Sequence, residues 1–255
     1  MSSVQSIDRM FRILEVISDS KNGVGISELS EQTGLHKSTV HRLTMALLEN
    51  GYVEQLPSAK YKLSYKLYEM GSKLFADVSI FDAARKTISD LAKKLGEVIH
   101  LAVRNNNDII YIDKENPGSN SAIMGSNIGS SAPMYCTAMG KAMLFDANDY
   151  ELRAIWNNSE TVKRTEKTHT SFTHFAQDIR ASKANGYALD DEENELGIRC
   201  IAVPIYDSKN RICAAVSLSG PTTRILTSNL DKYAVPIMEA AREISLRMGH
   251  IERPN

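Results

Sequence analysis

Apolar residues over the first 63 positions recur with two periods. Ile7, Met10/Phe11, Leu14 and Ile17 repeat at helical spacing and predict an amphipathic helix. Leu29 and Thr33, four apart, form the inner edge of a second, short helix. Ser27 stands where a hydroxyl caps its free N–H groups, and Gly34 where a positive φ angle stops it. Val40, Leu43, Leu47 and Leu48 make the inner stripe of a third helix, with Ser38, His41, Arg42 and Met45 on its other side. Asn50-Gly51 marks the end of that helix, and the period then falls to two. Tyr52–Leu56 and Tyr61–Leu63 flank Pro57-Ser-Ala-Lys60, the pattern of a β-hairpin. A covering helix, two helices joined at a glycine and a hairpin make a winged helix-turn-helix, which lays its last helix in the DNA major groove. Lys37, Ser38, Thr39, His41 and Arg42 offer that groove donors and acceptors of suitable length, and Lys60 and Lys62 on the hairpin can reach phosphates.

Beyond the hairpin, Leu67, Met70/Gly71, Leu74 and Val78 continue at helical spacing, as in a connector helix. Asp82–Leu95 is amphipathic, with Ala84, Ile88, Leu91 and Leu95 on one stripe and Asp82 as its cap. Val98–Val103 and Ile109–Asp113 are β-branched runs joined by an asparagine-rich loop, and Ala122–Met124 is a candidate third strand. Helical patterns follow over Thr137–Phe145, Asp149–Trp156 and Phe172–Ala184, the last stopped by Asn185-Gly186. Tyr187–Leu189, Arg199–Tyr206 and Arg211–Ser219 read as strands, and Asn229–Met248 as a closing helix. Hairpins separated by helices predict an α+β domain, an antiparallel or mixed sheet with helices packed on it.

Charge refines this picture locally. The chain carries a net charge of −1, and residues 1–65 hold seven basic and seven acidic side chains. Overall charge therefore gives nucleic-acid binding no support. The distribution does, because no acidic residue lies between Glu31 and Glu49. A neutral domain with one basic face makes few phosphate contacts per copy, which favours dimers reading two half-sites. No apolar run approaches the roughly 20 residues that span a bilayer, and Met-Ser-Ser-Val-Gln lacks a signal-peptide pattern. Cys136, Cys200 and Cys213 have no paired spacing, so a reduced, cytoplasmic setting is expected, with no membrane partner.

Three segments carry candidate chemistry. Asn127–Ala142 is a Gly/Ser loop running into a helix N-terminus, where free amides favour anions. Asp190-Asp-Glu-Glu-Asn-Glu195 has five acidic residues in six and leads into a strand with Cys200; an acid there can accept from ligand hydroxyls or bind a cation. Val216–Gly220 alternates so that Ser217 and Ser219 share one face of a strand. His100, His169 and His174 are possible bases, but no Gly-x-Ser-x-Gly elbow, Cys-x-x-Cys or His-Glu-x-x-His accompanies them. The expectation is a protein without catalytic residues, metal or cofactor. A thiol enzyme built on Cys200 and a protein-binding winged helix are the rival readings.

The chain resembles the IclR family of transcriptional regulators. The likeness rests on Ser6–Glu15, Ile26–Leu29, Thr33–Leu43, Pro133–Ala142, Asp190–Cys200 and Val216–Pro221, in that order and spacing. It implies a winged helix-turn-helix over residues 1–65, a linker helix over 66–81 and a GAF-like mixed α/β effector domain over 82–255. It further implies homodimers or homotetramers on palindromic double-stranded DNA operators, gated by a small-molecule effector that is often an organic acid. The matching motif positions put the effector pocket at Met124, Ala132, Ala138, Met139, Asp190, Ile198, Cys200, Ser217 and Ser219. Tyr135 stands where the family commonly has a histidine, a change expected to bear on pocket polarity. The chain is similar enough to members that sense sugar-derived keto acids to make such an acid the first expectation for the effector, and a repressor is expected more than an activator.

Overall fold

The computed structural model describes residues 5–72, 80–118 and 125–251. The chain divides into two compact units, Met1–Asp77 and Val78–Asn255.

In the first unit, helices α1 (Gln5–Ser18), α2 (Ile26–Thr33) and α3 (Lys37–Glu49) precede the hairpin β1 (Val53–Gln55) and β2 (Tyr61–Leu63), and α4 (Tyr65–Ser72) follows. Ile13, Ile17, Leu29, Val40, Leu43 and Leu47 form the core with Val24, Val53 and Tyr61. The inward stripe of α1 differs from the one expected. Ile13 and Ile17 are buried with Met10 and Leu14 packed beside them, whereas Ile7 (43% exposed) and Phe11 (55%) face outward.

The cap of α2 is also corrected. Gly25, not Ser27, is its N-cap, and the Glu28 carboxylate reaches back to accept from the Gly25 N–H at 2.8 Å. Gly34 closes α2 at φ +68°, a left-handed conformation that costs glycine nothing. A backbone bridge between Val24 and Tyr61 ties the α1–α2 loop to the hairpin. The start of α4 is anchored to the end of α3: the Ser64 hydroxyl donates to the Gly51 carbonyl, and Lys66 Nζ donates to the Asn50 carbonyl at 2.7 Å.

The second unit is built on a six-stranded, fully antiparallel sheet in the order β5-β4-β3-β8-β7-β6. The strands are β3 (Val98–Asn105), β4 (Asp108–Glu115), β5 (Ser131–Pro133), β6 (Ala188–Asp191), β7 (Ile198–Tyr206) and β8 (Ile212–Pro221). Alternation along each strand sends side chains to two cores. Ile99, Leu101, Ile201, Val203, Val216 and Leu218 meet α5 (Ile80–Leu95) and α9 (Leu230–Arg247) on one face. Ala102, Ala202 and Ala215 meet α6 (Ala138–Ala142), α7 (Asp149–Asn158) and α8 (Phe172–Asn185) on the other. Small residues on that face let the helices approach closely.

Among the boundaries that differ from those read in the sequence are the start of α5 and the strand beside β4. Helix α5 begins at Ile80, so Asp82 lies in its first turn instead of capping it. The strand beside β4 is Ser131–Pro133, while Ala122–Met124 lies outside the described residues, as do Leu74 and Val78 of the connector.

Candidate DNA interface and effector cavity

Helix α3 packs Val40, Leu43 and Leu47 inward, which leaves Lys37, Ser38, His41 and Arg42 exposed on its outer side and Thr39 half-exposed. Among the described residues, the side chains of Lys37, His41 and Arg42 have no hydrogen-bond or ion-pair partner. Ser38 is tied to a residue that sequence reasoning passed over. His36 is the N-cap of α3, its Nδ1 lying 2.8 Å from the Ser38 hydroxyl and accepting from the Ser38 N–H at 3.4 Å. Histidine is not among the usual N-cap residues, so only its place one residue before the helix could have revealed it.

The wing lysines are engaged. Lys60 lies 3.5 Å from Glu28 and Lys62 lies 2.7 Å from Glu54. Such half-exposed pairs are worth about 0–1 kcal/mol, so a phosphate can displace them.

The other site lies on the α6–α8 face of the sheet, where the strand order brings distant residues side by side. Asp190 pairs with Cys200, and Cys200 with Ser219. His100 on β3 completes the row, its Nδ1 lying 3.4 Å from the Ser219 hydroxyl. These groups line a cavity of about 420 Å³, closed by Tyr111, Ser126, Ala132, Ile198 and Arg164. That volume lies in the range of small-molecule sites.

The wall is polar but mostly uncharged. Burial drives the His100 imidazole down to about 3, and the nearby Lys114 ammonium adds to the fall, so the ring is neutral. Its Nε2 meets the Ser126 hydroxyl at 2.8 Å, and Lys114 donates to the Ser126 carbonyl at 2.6 Å. Burial pushes the Asp190 carboxyl up to about 7, against the pull of Lys141, with Glu193 adding to the rise. Asp190 Oδ1 accepts from the Glu193 and Asn194 N–H groups at 2.8 and 3.3 Å, which fixes the acidic loop at the cavity floor. Arg164 is the only lysine or arginine lining the cavity among the described residues, and it shares the rim with Glu195. Burial raises the Cys200 thiol far above its ordinary range, which keeps it protonated and argues against a reactive thiolate.

Of the residues assigned to the pocket in advance, Ala132, Asp190, Ile198, Cys200 and Ser219 line this cavity. Ser217 is buried on the same face but one pair further along, opposite His100 and Ala202, and does not line it. Ala138 and Met139 are likewise absent from the wall; they are buried in the core against α8. Of the amides at the start of α6, that of Gly140 is taken by Thr137, whose hydroxyl accepts from it at 3.2 Å. Met124 lies outside the described residues. The structure adds His100, Tyr111, Ser126, Arg164 and Glu195, among others, to the wall.

Tyr135 acts at one remove from the cavity. Its ring is buried, and its hydroxyl donates to the Val162 carbonyl at 2.8 Å and accepts from the Val162 N–H at 3.0 Å. Burial raises the pKa of that hydroxyl, and the nearby Arg164 guanidinium offsets part of the rise. Tyr135 therefore positions the loop that brings Arg164 to the rim.

Comparison with known proteins decides the family. Residues 6–57 match the IclR helix-turn-helix domain and residues 73–246 match the C-terminal domain of bacterial IclR transcriptional regulators. The chain belongs to the IclR family. The transcriptional regulator KdgR of Escherichia coli K12 is 35% identical over 253 residues, covering 99% of this chain and 95% of its own. YiaJ, a DNA-binding transcriptional repressor of the same organism, is also 35% identical over 253 residues, covering 98% and 89%. The crystal structure of the Thermotoga maritima IclR superposes with a TM-score of 0.81 at 31% identity, covering 97% of this chain and all of that one. This IclR-family chain is thus a DNA-binding transcriptional regulator and not an enzyme. Among the described residues no helix is long and apolar enough to cross a membrane.

Proposed function

We propose that this chain is a repressor that reads a palindromic operator through α3 and the wing, and that a small hydroxylated monocarboxylic acid gates it. The observation that carries the effector reading is the charge layout of the cavity. Arg164 supplies one cation at the rim for a carboxylate, while Glu195 beside it disfavours a second acid group. Deeper in, Asp190, Ser219, His100 and Ser126 offer donors and acceptors suited to hydroxyl and carbonyl oxygens. A sugar-derived keto acid meets both demands. Similarity to YiaJ favours repression.

Pairing of two copies follows from what the first unit leaves uncovered. Ile7 and Phe11 on α1, and Tyr65, Tyr68 and Met70 on α4, are all exposed. A homodimer, or a homotetramer made from two, would cover them and present two α3 helices one helical turn of DNA apart. The effector acts by binding one arrangement of the paired units better than another, which shifts the spacing of the recognition helices.

Two substitutions test the two sites. Arg42→Ala removes the longest unpartnered donor of the α3 face. Loss of a bidentate base contact weakens binding by about 1–3 kcal/mol, or about 5- to 150-fold. Anisotropy on a genomic fragment enriched with the wild-type protein measures this, and unchanged affinity removes Arg42 from the interface. Wild-type affinity should also fall steeply with salt as counterions are released; salt-independent retention would favour a protein-binding winged helix. Arg164→Gln should weaken the stabilising acid found by thermal shift about 10- to 150-fold, the loss of one charged hydrogen bond. Equal affinity in calorimetry would place the carboxylate elsewhere.

A further inference from the structure

Behind the cavity floor lies a second cluster that the effector reading does not use. The ammonium of Lys141 is fully buried and donates to Asp178 Oδ2 at 2.6 Å, to Glu193 Oε1 at 2.5 Å and to the Leu189 carbonyl. One cation thus faces two carboxylates directly, with Asp190 close enough to add its charge. The second oxygen of Glu193, Oε2, is buried and has no hydrogen-bond partner among the described residues. An unpaired buried carboxylate oxygen is costly, and a site that keeps one is short of a donor or a cation.

That oxygen points toward His169. His169 Nε2 stands 3.8 Å from Glu193 Oε2 and 3.7 Å from Asp178 Oδ2, too far for hydrogen bonds. The nearest ligand atoms of the three residues all lie within 4.8 Å of one another. In a tetrahedral zinc site with bonds of about 2.0–2.2 Å, neighbouring ligand atoms sit about 3.4 Å apart. Two of the three separations therefore need to close by only a few tenths of an ångström.

The geometry points to a divalent transition-metal site, of the zinc class, formed by His169, Asp178 and Glu193, with solvent in the remaining position. The ligand set is the His/carboxylate mixture that zinc accepts. Lys141 orients the carboxylates from behind by holding Glu193 Oε1, so Oε2 stays turned toward the ion. The local backbone is prepared for this. The Thr168 hydroxyl accepts from the Arg164 and Thr165 N–H groups and donates to the Glu193 carbonyl at 2.6 Å, which fixes His169 beside the acidic loop. A bound ion would join that loop to α8. The same loop holds Asp190 at the cavity floor, so the metal would stiffen one wall of the effector site without lining it. Lys141 is the opposing force, since its buried charge repels the ion. Two carboxylates in contact and the charge of Asp190 offset that repulsion.

The test is a Zn²⁺ titration of the full chain, stripped with chelator, at pH 7.5. We expect one ion per chain by calorimetry. The melting point of the wild type should rise by about 5 °C or more at a hundredfold excess over Kd. His169 is half-exposed and is not part of either hydrophobic core of the second unit, so His169→Ala should fold and lose both signals. Glu193→Gln, which keeps the shape but lowers the charge, should weaken binding at least tenfold. Co²⁺ in place of Zn²⁺ should give ligand-field bands without a thiolate charge-transfer band, which separates this site from Cys200 in the cavity. No saturable uptake by the wild type, unchanged uptake by His169→Ala, or a thiolate band would each overturn the assignment. None of these readouts depends on finding the effector.

Discussion

Replacing Lys141 with methionine should destabilise the second unit by about 3–5 kcal/mol. The two side chains are similar in length, so the substitution leaves little cavity. What it removes is the counter-charge. Lys141 has no solvent exposure, and the Glu193 side chain is only 7% exposed. Without the ammonium, Glu193 and Asp178 repel one another, and the Leu189 carbonyl loses its partner as well. Exposed ion pairs such as Lys163–Glu166 on the surface, by contrast, are worth at most about 1 kcal/mol. Urea denaturation followed by tryptophan fluorescence reads the effect directly, because the only tryptophan, Trp156, is half-buried against the core that contains α6. A midpoint within error of the wild type would contradict the charge assignment at this cluster.

Gly140→Ala should produce the next largest loss, at or above the upper end of the roughly 1–3 kcal/mol typical of overpacking. A Cβ at this position would lie 2.3 Å from Met134 Cα, 2.5 Å from its carbonyl oxygen and 2.8 Å from its carbonyl carbon. All three atoms are backbone, so no side-chain rotation relieves the clash. Helix α6 would have to lift from the Pro133–Met134 segment and break the bond from the Thr137 hydroxyl to the Pro133 carbonyl. Alanine gains about 1 kcal/mol over glycine in helix propensity, which is smaller than the strain. A melting point equal to or above that of the wild type would show that the two segments are not in contact as described.

The first unit was largely legible in the sequence because its contacts are local. Leu29, Val40, Leu43 and Leu47 recur at helical spacing, and Gly34 and Asn50-Gly51 punctuate them. The errors there were errors of capping: Ser27 resembles a cap more than Gly25 does, and His36 is not a usual cap at all. Ile7 and Phe11 carry the same apolar signal as Ile13 and Ile17, since hydrophobicity alone does not distinguish a core residue from an exposed one.

The cavity was only half legible, for a topological reason. Asp190, Cys200 and Ser219 stood out through composition, alternation and family motif. His100, Tyr111 and Arg164 come from β3, β4 and the α7–α8 connection, and only the sheet order brings them to the same wall. Ser217 and Ser219 share a face, as alternation required. Their depth along β8 decided that only Ser219 reaches the cavity, and depth is set by the register with β3 and β7. Tyr135 could be flagged as a departure, but its action on Arg164 through Val162 appears only in three dimensions.

In the gating proposed above, an acid held in the second unit controls a DNA contact made by the first. The most direct measurement is operator-fragment anisotropy, with the wild-type protein near its Kd, titrated with a panel of sugar-derived keto acids. At least one acid that raises the melting point should release the DNA, and Arg164→Gln should need about 10- to 150-fold more of it. An acid that binds tightly and leaves the DNA affinity unchanged would contradict the coupling on which the account depends.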